Sequence, residues 1–265
     1  MCSRFLSAAL ALLFAAACAA HAQVPPLRVC ADPDNLPFSS RGGLGFDNHI
    51  AVMIAHALGR EPQFVWARSR RGFLREEFDK GACDVLTGVP QGMHGVATSR
   101  PYYRSTYVFV TPTRSHVQIT RFDDPHLNSG RIGLQVLEED YAPPSLPLIR
   151  NGHSAQFLGF EAFGTRSEDI VRAVVDGRVS CAVVWGPLAG YFARRDHLPV
   201  TIAAVWPVVD SSGVPFAYSM TMAVHKGDTA LREKIDRAIV HLQPQINALL
   251  DRYNVPRLPG EKGAQ

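Results

Sequence analysis

The sequence predicts an α/β fold of two lobes joined by two crossing strands. Three observations carry that expectation. Short β-like runs alternate with amphipathic helical runs, the pattern of parallel sheets. The alternation occurs twice, as two separate three-strand sets. Long β-rich runs, residues 102–111 and 219–224, stand where a chain passing between the sets would cross. One continuous doubly wound domain does not explain two such sets linked by long strands.

The first set opens with a strand over 28–31 that stops in Asp32-Pro33-Asp34-Asn35. A strand ending in a polar, proline-containing loop at a helix entrance is where open α/β sheets hold ligands. In residues 46–58, Ile50, Met53, Ile54, Ala57 and Leu58 recur at the spacing of one buried helix face, and Gly59 ends the pattern. A strand over 63–66, a helix over 72–80 closed by Gly81, and a strand over 83–87 complete βαβαβ. The second set has strands over 131–136 and 157–160. Ser167-Glu168-Asp169-Ile170 reads as a capping segment for a helix to Val175, terminated by Asp176-Gly177. A buried strand over 181–185 follows, then a helix over 187–195 with proline in its first turn, and a strand over 200–205. A final helix spans about 228–253. The expected division is a signal peptide over 1–22, a first lobe from 23–111 plus 216–258, a second lobe over 112–215, and a tail over 259–265.

The signal is read from Arg4, an apolar run over 6–20 and the ending Ala20-His21-Ala22, which fits cleavage before Gln23. That run is short and alanine-rich for a membrane span. A lipid anchor at Cys18 is the rival, but Ala15 stands where such signals want a large aliphatic residue. The expectation is an exported, periplasmic protein of Gram-negative type, with no membrane insertion once the signal is removed.

Composition is ordinary globular: 46% hydrophobic, 19% charged, net charge +3. The cations are nearly all arginine and scattered, which argues against nucleic acid; Arg68, Arg70 and Arg71 form the one local cluster. Neither Cys-x-x-Cys nor paired histidines occur, so no metal site and no cofactor is expected. Beyond the signal remain Cys30, Cys83 and Cys181, enough for one bridge and a spare thiol. A Cys30–Cys83 bridge is attractive, since both lie in the first set. Against it, Cys83 opens its strand while Cys30 sits near the end of its own, which would part them beyond the roughly 7 Å Cα limit.

Several segments together resemble the bacterial extracellular solute-binding proteins of family 3, the receptors of amino-acid ABC importers. They are Asp32 with Pro37-Phe38, Gly45-Phe46-Asp47, Gly81-Ala82-Cys83-Asp84, and Ser99-Arg100-Pro101-Tyr102-Tyr103. The resemblance spans roughly residues 27–255 and implies the type II periplasmic-binding-protein fold. A narrower resemblance rests on residues 28–39, Arg70-Arg71-Gly72-Phe73, residues 100–110 and Val184-Trp185-Gly186-Pro187. These are similar to the branch encoded beside pyrroloquinoline-quinone (PQQ) alcohol dehydrogenases, the methanol-oxidation J proteins. That implies a non-enzymatic accessory whose partners are a quinoprotein dehydrogenase, a small molecule of its system, or an ABC permease. The alternative is an importer receptor for a solute other than an amino acid.

The family's amino-acid anchors are absent. Its carboxylate-binding Arg lies six positions before an aromatic; here Thr98 holds the aromatic position and Gly92 the other. Its ammonium-binding acid ends the second lobe's buried strand; here Trp185 stands there. A glycine offers only backbone donors, and a zwitterion buried without paired charges costs several kcal/mol. The candidate ligand-binding residues are therefore Asp32, Asn35, Arg70, Arg71, Gln135, Trp185 and Tyr191. They suit something flat and polar, with Arg71 as ion partner and Trp185 as platform. PQQ, a planar tricarboxylate, would match Arg and Trp, although Glu138, Glu139 and Asp140 weigh against an anion. The bland reading is that Trp185 fills the gap between lobes and the arginines are surface cations. Phe38, Phe46, Phe109 and Phe192 are expected in the core.

Overall fold

The computed structural model describes residues 24–68, 72–164 and 166–259. The expected signal over 1–22, Arg70, Arg71 and the end of the tail lie outside the described residues.

The chain begins with β1 (Leu27–Ala31), a small hairpin of β2 (Asp34–Asn35) and β3 (Ser39–Ser40), and α1 (Phe46–Ala57). Val29 and Cys30, on opposite faces of β1, are both buried, as in a strand covered on both sides. Helix α1 buries Phe46, Ile50 and Ile54 on one side, and Gly59 at φ +67° closes it by donating to His56. Next come β4 (Pro62–Trp66) and β5 (Val85–Pro90). Between them the expected helix over 72–80 is one wide π turn, Leu74–Phe78, in which Asp79 N–H donates to Leu74 O. Gly72 before it and Gly81 after it, both at positive φ, keep it short.

β6 (Ala97–Thr98) leads to β7 (Tyr103–Pro112). The second lobe follows with β8 (Ile132–Leu137), β9 (Asp140–Tyr141), α2 (Ser145–Arg150), β10 (Phe157–Glu161), α3 (Asp169–Val175), β11 (Cys181–Trp185), α4 (Gly186–Arg195) and β12 (Val200–Ala204). The chain returns through β13 (Ala217–Val224) and ends on α5 (Thr229–Arg252). Helix α5 is capped by Asp228, which accepts from Leu231 N–H. The capping segment expected before α3 is different: Glu168 is the cap without a side-chain bond, and Ser167 Oγ reaches Leu36 O at 3.4 Å, on the opposite lobe.

The strand order is β10-β8-β11-β7-β13-β5-β1-β4. Strand β7 pairs with β13 through Tyr103–Thr106, then with β11 and β12 from Tyr107 onward. Strand β13 runs antiparallel to β7 at Ala217 and ends beside β5. Those two crossings join two α/β lobes, the type II periplasmic-binding-protein architecture. Each lobe has its own core: Phe46, Ile54 and Met222 belong to one, Phe109, Leu134 and Phe216 to the other. Phe46, Phe109 and Phe192 are buried as expected. Phe38 packs edge-on against Phe46 but also faces the space between the lobes.

Cys30 and Cys83 are joined, with Cα atoms 5.5 Å apart. The separation argued from sequence does not arise, because Cys83 is not in a strand. It sits in the bend before β5, where Asp84 N–H donates to Arg28 O and swings Cys83 toward β1. Strands β1 and β5 share just two register pairs, Val29 with Val85 and Cys30 with Leu86. Arg28 and Arg60 both bond the Asp84 carboxylate at the same place. Cys181 is a buried free thiol.

Candidate functional site

A cleft of about 980 Å³ opens between the lobes. Its first-lobe wall is built from the end of β1, the β2–β3 hairpin, the start of α1 and β5. Its second-lobe wall comes from the end of β8, the turn before β9, and the β11–α4 junction.

Of the residues expected from sequence, Asp32, Asn35, Gln135 and Trp185 line this cleft. Asp32 directly follows β1, and its carboxylate accepts Asp34 N–H at 2.9 Å, an Asx turn that sets up the hairpin. Asn35 is only 9% exposed, and its Oδ1 is buried with no hydrogen-bond partner among the described residues. Gln135, buried in β8, receives the backbone N–H of Trp185 on Oε1 at 2.6 Å. Tyr191 does not line the cleft. Helix α4 turns its ring away, and it stacks on Tyr253 with centroids 5.5 Å apart. Arg70 and Arg71 are outside the described residues.

Trp185 packs against the cores of both lobes, so its ring does fill the interlobe gap. It also forms cleft wall: Tyr107 and Tyr218 meet it edge-on at 5.4 and 5.8 Å, and all three line the space. The filling and platform readings describe one residue. The two positions that carry the family's charged anchors hold Gly92 and Trp185 in the structure as well. Gly92 sits in a turn at φ +75°, and its N–H goes to Thr98 Oγ1 at 3.3 Å.

One cleft residue escaped the sequence reading. Asp47, in the first turn of α1, is 3% exposed and lies in the cleft wall. Burial pushes its carboxyl up to about 7, and the bond from Tyr102 only partly offsets this. Tyr102 donates to Asp47 Oδ1 at 2.9 Å and accepts Gly88 N–H at 2.9 Å. Gly88, at φ +66°, passes so close that a Cβ there would lie 2.5 Å from Asp47 Oδ2. Only glycine fits this approach. The signal was present in Gly45-Phe46-Asp47, an acid directly after a core aromatic, but Tyr102 lies 55 residues away and no local pattern joins them.

The sequence pattern that defines the bacterial extracellular solute-binding proteins, family 3, matches residues 27–255. Protein MoxJ of Methylorubrum extorquens strain AM1 is 30% identical over 261 residues, covering 92% of this chain and 85% of that protein. Among solved structures, MxaJ from Methlophaga aminisulfidivorans MPT is 28% identical with a TM-score of 0.75, covering 88% of this chain and all of that one. The periplasmic binding protein XoxJ from Methylobacterium extorquens AM1 is 27% identical with a TM-score of 0.73, at the same coverage.

Proposed function

The chain belongs to the bacterial extracellular solute-binding proteins, family 3, and from that premise we propose that it is a periplasmic accessory of a PQQ-dependent alcohol dehydrogenase, methanol being the favoured substrate of that enzyme. It acts without catalysis, by contacting the dehydrogenase or by carrying a small molecule of its system, and it is not an amino-acid receptor. The observation that carries this reading is a receptor frame kept along its length, similar to MoxJ, MxaJ and XoxJ, in which Gly92 and Trp185 replace the two charged anchors. Without them the family's own pairing for a zwitterion is missing, and a charge buried unpaired costs several kcal/mol. The test is co-purification of the mature protein with the quinoprotein dehydrogenase of the same organism, together with the enzyme's activation with and without it. A stable complex or altered activation supports the reading; no complex together with unchanged activation overturns it.

A second reading, an importer receptor for a non-amino-acid solute, is favoured by the cleft itself, which holds the partnerless Oδ1 of Asn35. Transport assays separate the two. Loss of one solute's uptake on deletion of the gene, with alcohol oxidation unchanged, selects the importer.

A further inference from the structure

Two buried polar side chains in the cleft have needs that the described residues leave unmet. Asn35 Oδ1 is an acceptor with no donor. Asp47 is a carboxyl whose one hydrogen-bond partner among the described residues, the Tyr102 hydroxyl, is neutral, and no cation among those residues bonds to it. Asp32, Glu138 and Asp140 line the same cleft and have further interactions of their own. Trp185, Tyr107 and Tyr218 form an aromatic wall of the same cleft. An ammonium group is all donor and positively charged, and an apolar body attached to it would bury against that wall.

We propose that the cleft binds a small organic amine in its ammonium form, the N–H groups shared between Asp47 and Asn35 Oδ1 and the apolar body held against Trp185. This differs from amino-acid capture, because the ligand needs no carboxylate anchor and the cation pairs at the head of α1 rather than at the end of β11. It rests on the cleft alone, whichever partner the protein serves.

Binding is coupled to the charge of Asp47, which rises through about pH 7. The titratable groups facing it are Tyr102 and Tyr103, both pushed well up, by burial first and by Asp47 second, so neither ionises in this range. On α1 itself His49 is exposed, pushed down by burial and then by Arg252; on α5, Tyr253 meets α1 at Phe46 and His49.

Calorimetry on the purified mature chain decides the matter without any dehydrogenase present. The probes are benzylamine, phenethylamine and cyclohexylamine, each against the matching alcohol, with benzoate as the anion. At pH 8 at least one amine binds ten times more tightly than its alcohol, and benzoate does not bind. Asp47→Asn, which keeps an acceptor for Tyr102, removes that preference, and Asn35→Ala weakens amine binding several-fold. The wild-type chain reads the same charge without substitution: amine affinity falls about tenfold from pH 8 to pH 6 or below. No binding by any of the three amines, equal binding of amine and alcohol, or an unchanged preference in a folded Asp47→Asn protein overturns the inference. None of those outcomes touches the dehydrogenase reading, which co-purification tests separately.

Discussion

The side-chain carbonyl of Gln135 occupies the backbone N–H of Trp185, the residue that caps α4. A helix N-terminus is a ready anion site because its first amides lack partners. Here the amide of the cap residue is already taken by a neutral acceptor, so a ligand carboxylate gains nothing from it. Gln135→Leu leaves that amide buried and unpaired, at a cost of about 1–3 kcal/mol. Urea unfolding should show that loss, and an unchanged midpoint would mean that water replaces Gln135.

The acid at 47 has a stability signature of opposite sign to that of an ordinary salt-bridged carboxylate. Its folded pKa, about 7, is above the ordinary 3.8, so the native chain holds a proton that the unfolded chain has released. Its contribution is full below about pH 4, declines between about 4 and 7, and is gone above. Asp47→Asn should therefore gain stability relative to wild type as pH rises through that window, by a few kcal/mol at pH 8. Paired melts of both proteins at pH 4.5 and pH 8 check the sign. A constant difference between them refutes it.

The Cys30–Cys83 bridge spans 53 residues of chain. Replacing both cysteines by serine should cost about 2–5 kcal/mol in urea unfolding under oxidising conditions. Cys181 is the contrast: burial pushes its thiol up to about 12, so it stays unreactive toward a thiol reagent until the chain unfolds. A native protein that reacts at one thiol would contradict its burial.

Helix α4 meets the segment after α5 at Gly190, whose carbonyl accepts from Asn254 Nδ2. A Cβ at 190 would lie 2.0 Å from Asn254 O, which is backbone and cannot swing aside. Gly190→Ala should lower stability by at least about 2 kcal/mol. Gly227→Ala, where nothing lies within 4 Å, is the matched control and should be nearly neutral. Equal melting temperatures for the two variants would refute the close approach.

Periodicity was enough to find the scaffold. Ile50 and Ile54 on one face of α1, and the unbroken apolar run Cys181–Trp185, identify a helix and a buried strand from the residues themselves. What failed was set by backbone detail. The segment at 74–78 has helical composition but forms a single π turn between two positive-φ glycines, and Cys83 bends toward Cys30 rather than starting a strand. In the cleft, Asp32 and Asn35 were legible because a loop after a β-strand announces itself. Trp185 and Gln135 were legible because their strands end at the same edge. Asp47 was not, since its character comes from Tyr102 and Gly88 folding over it. Tyr191 was misplaced among ligand residues because sequence position does not reveal which side of α4 meets α5.

The bridge also bears on when the cleft comes into being. Ala31 and Asp32 extend from β1, and Gly88 lies on β5, so the first-lobe wall stands on two strands that share two register pairs. The covalent link closes beside that narrow ladder. A freshly synthesised, reduced chain would carry the same residues on a loosely coupled pair of strands. Oxidation of Cys30 and Cys83 therefore fixes the first-lobe wall of the cleft in the same step that restricts the unfolded chain.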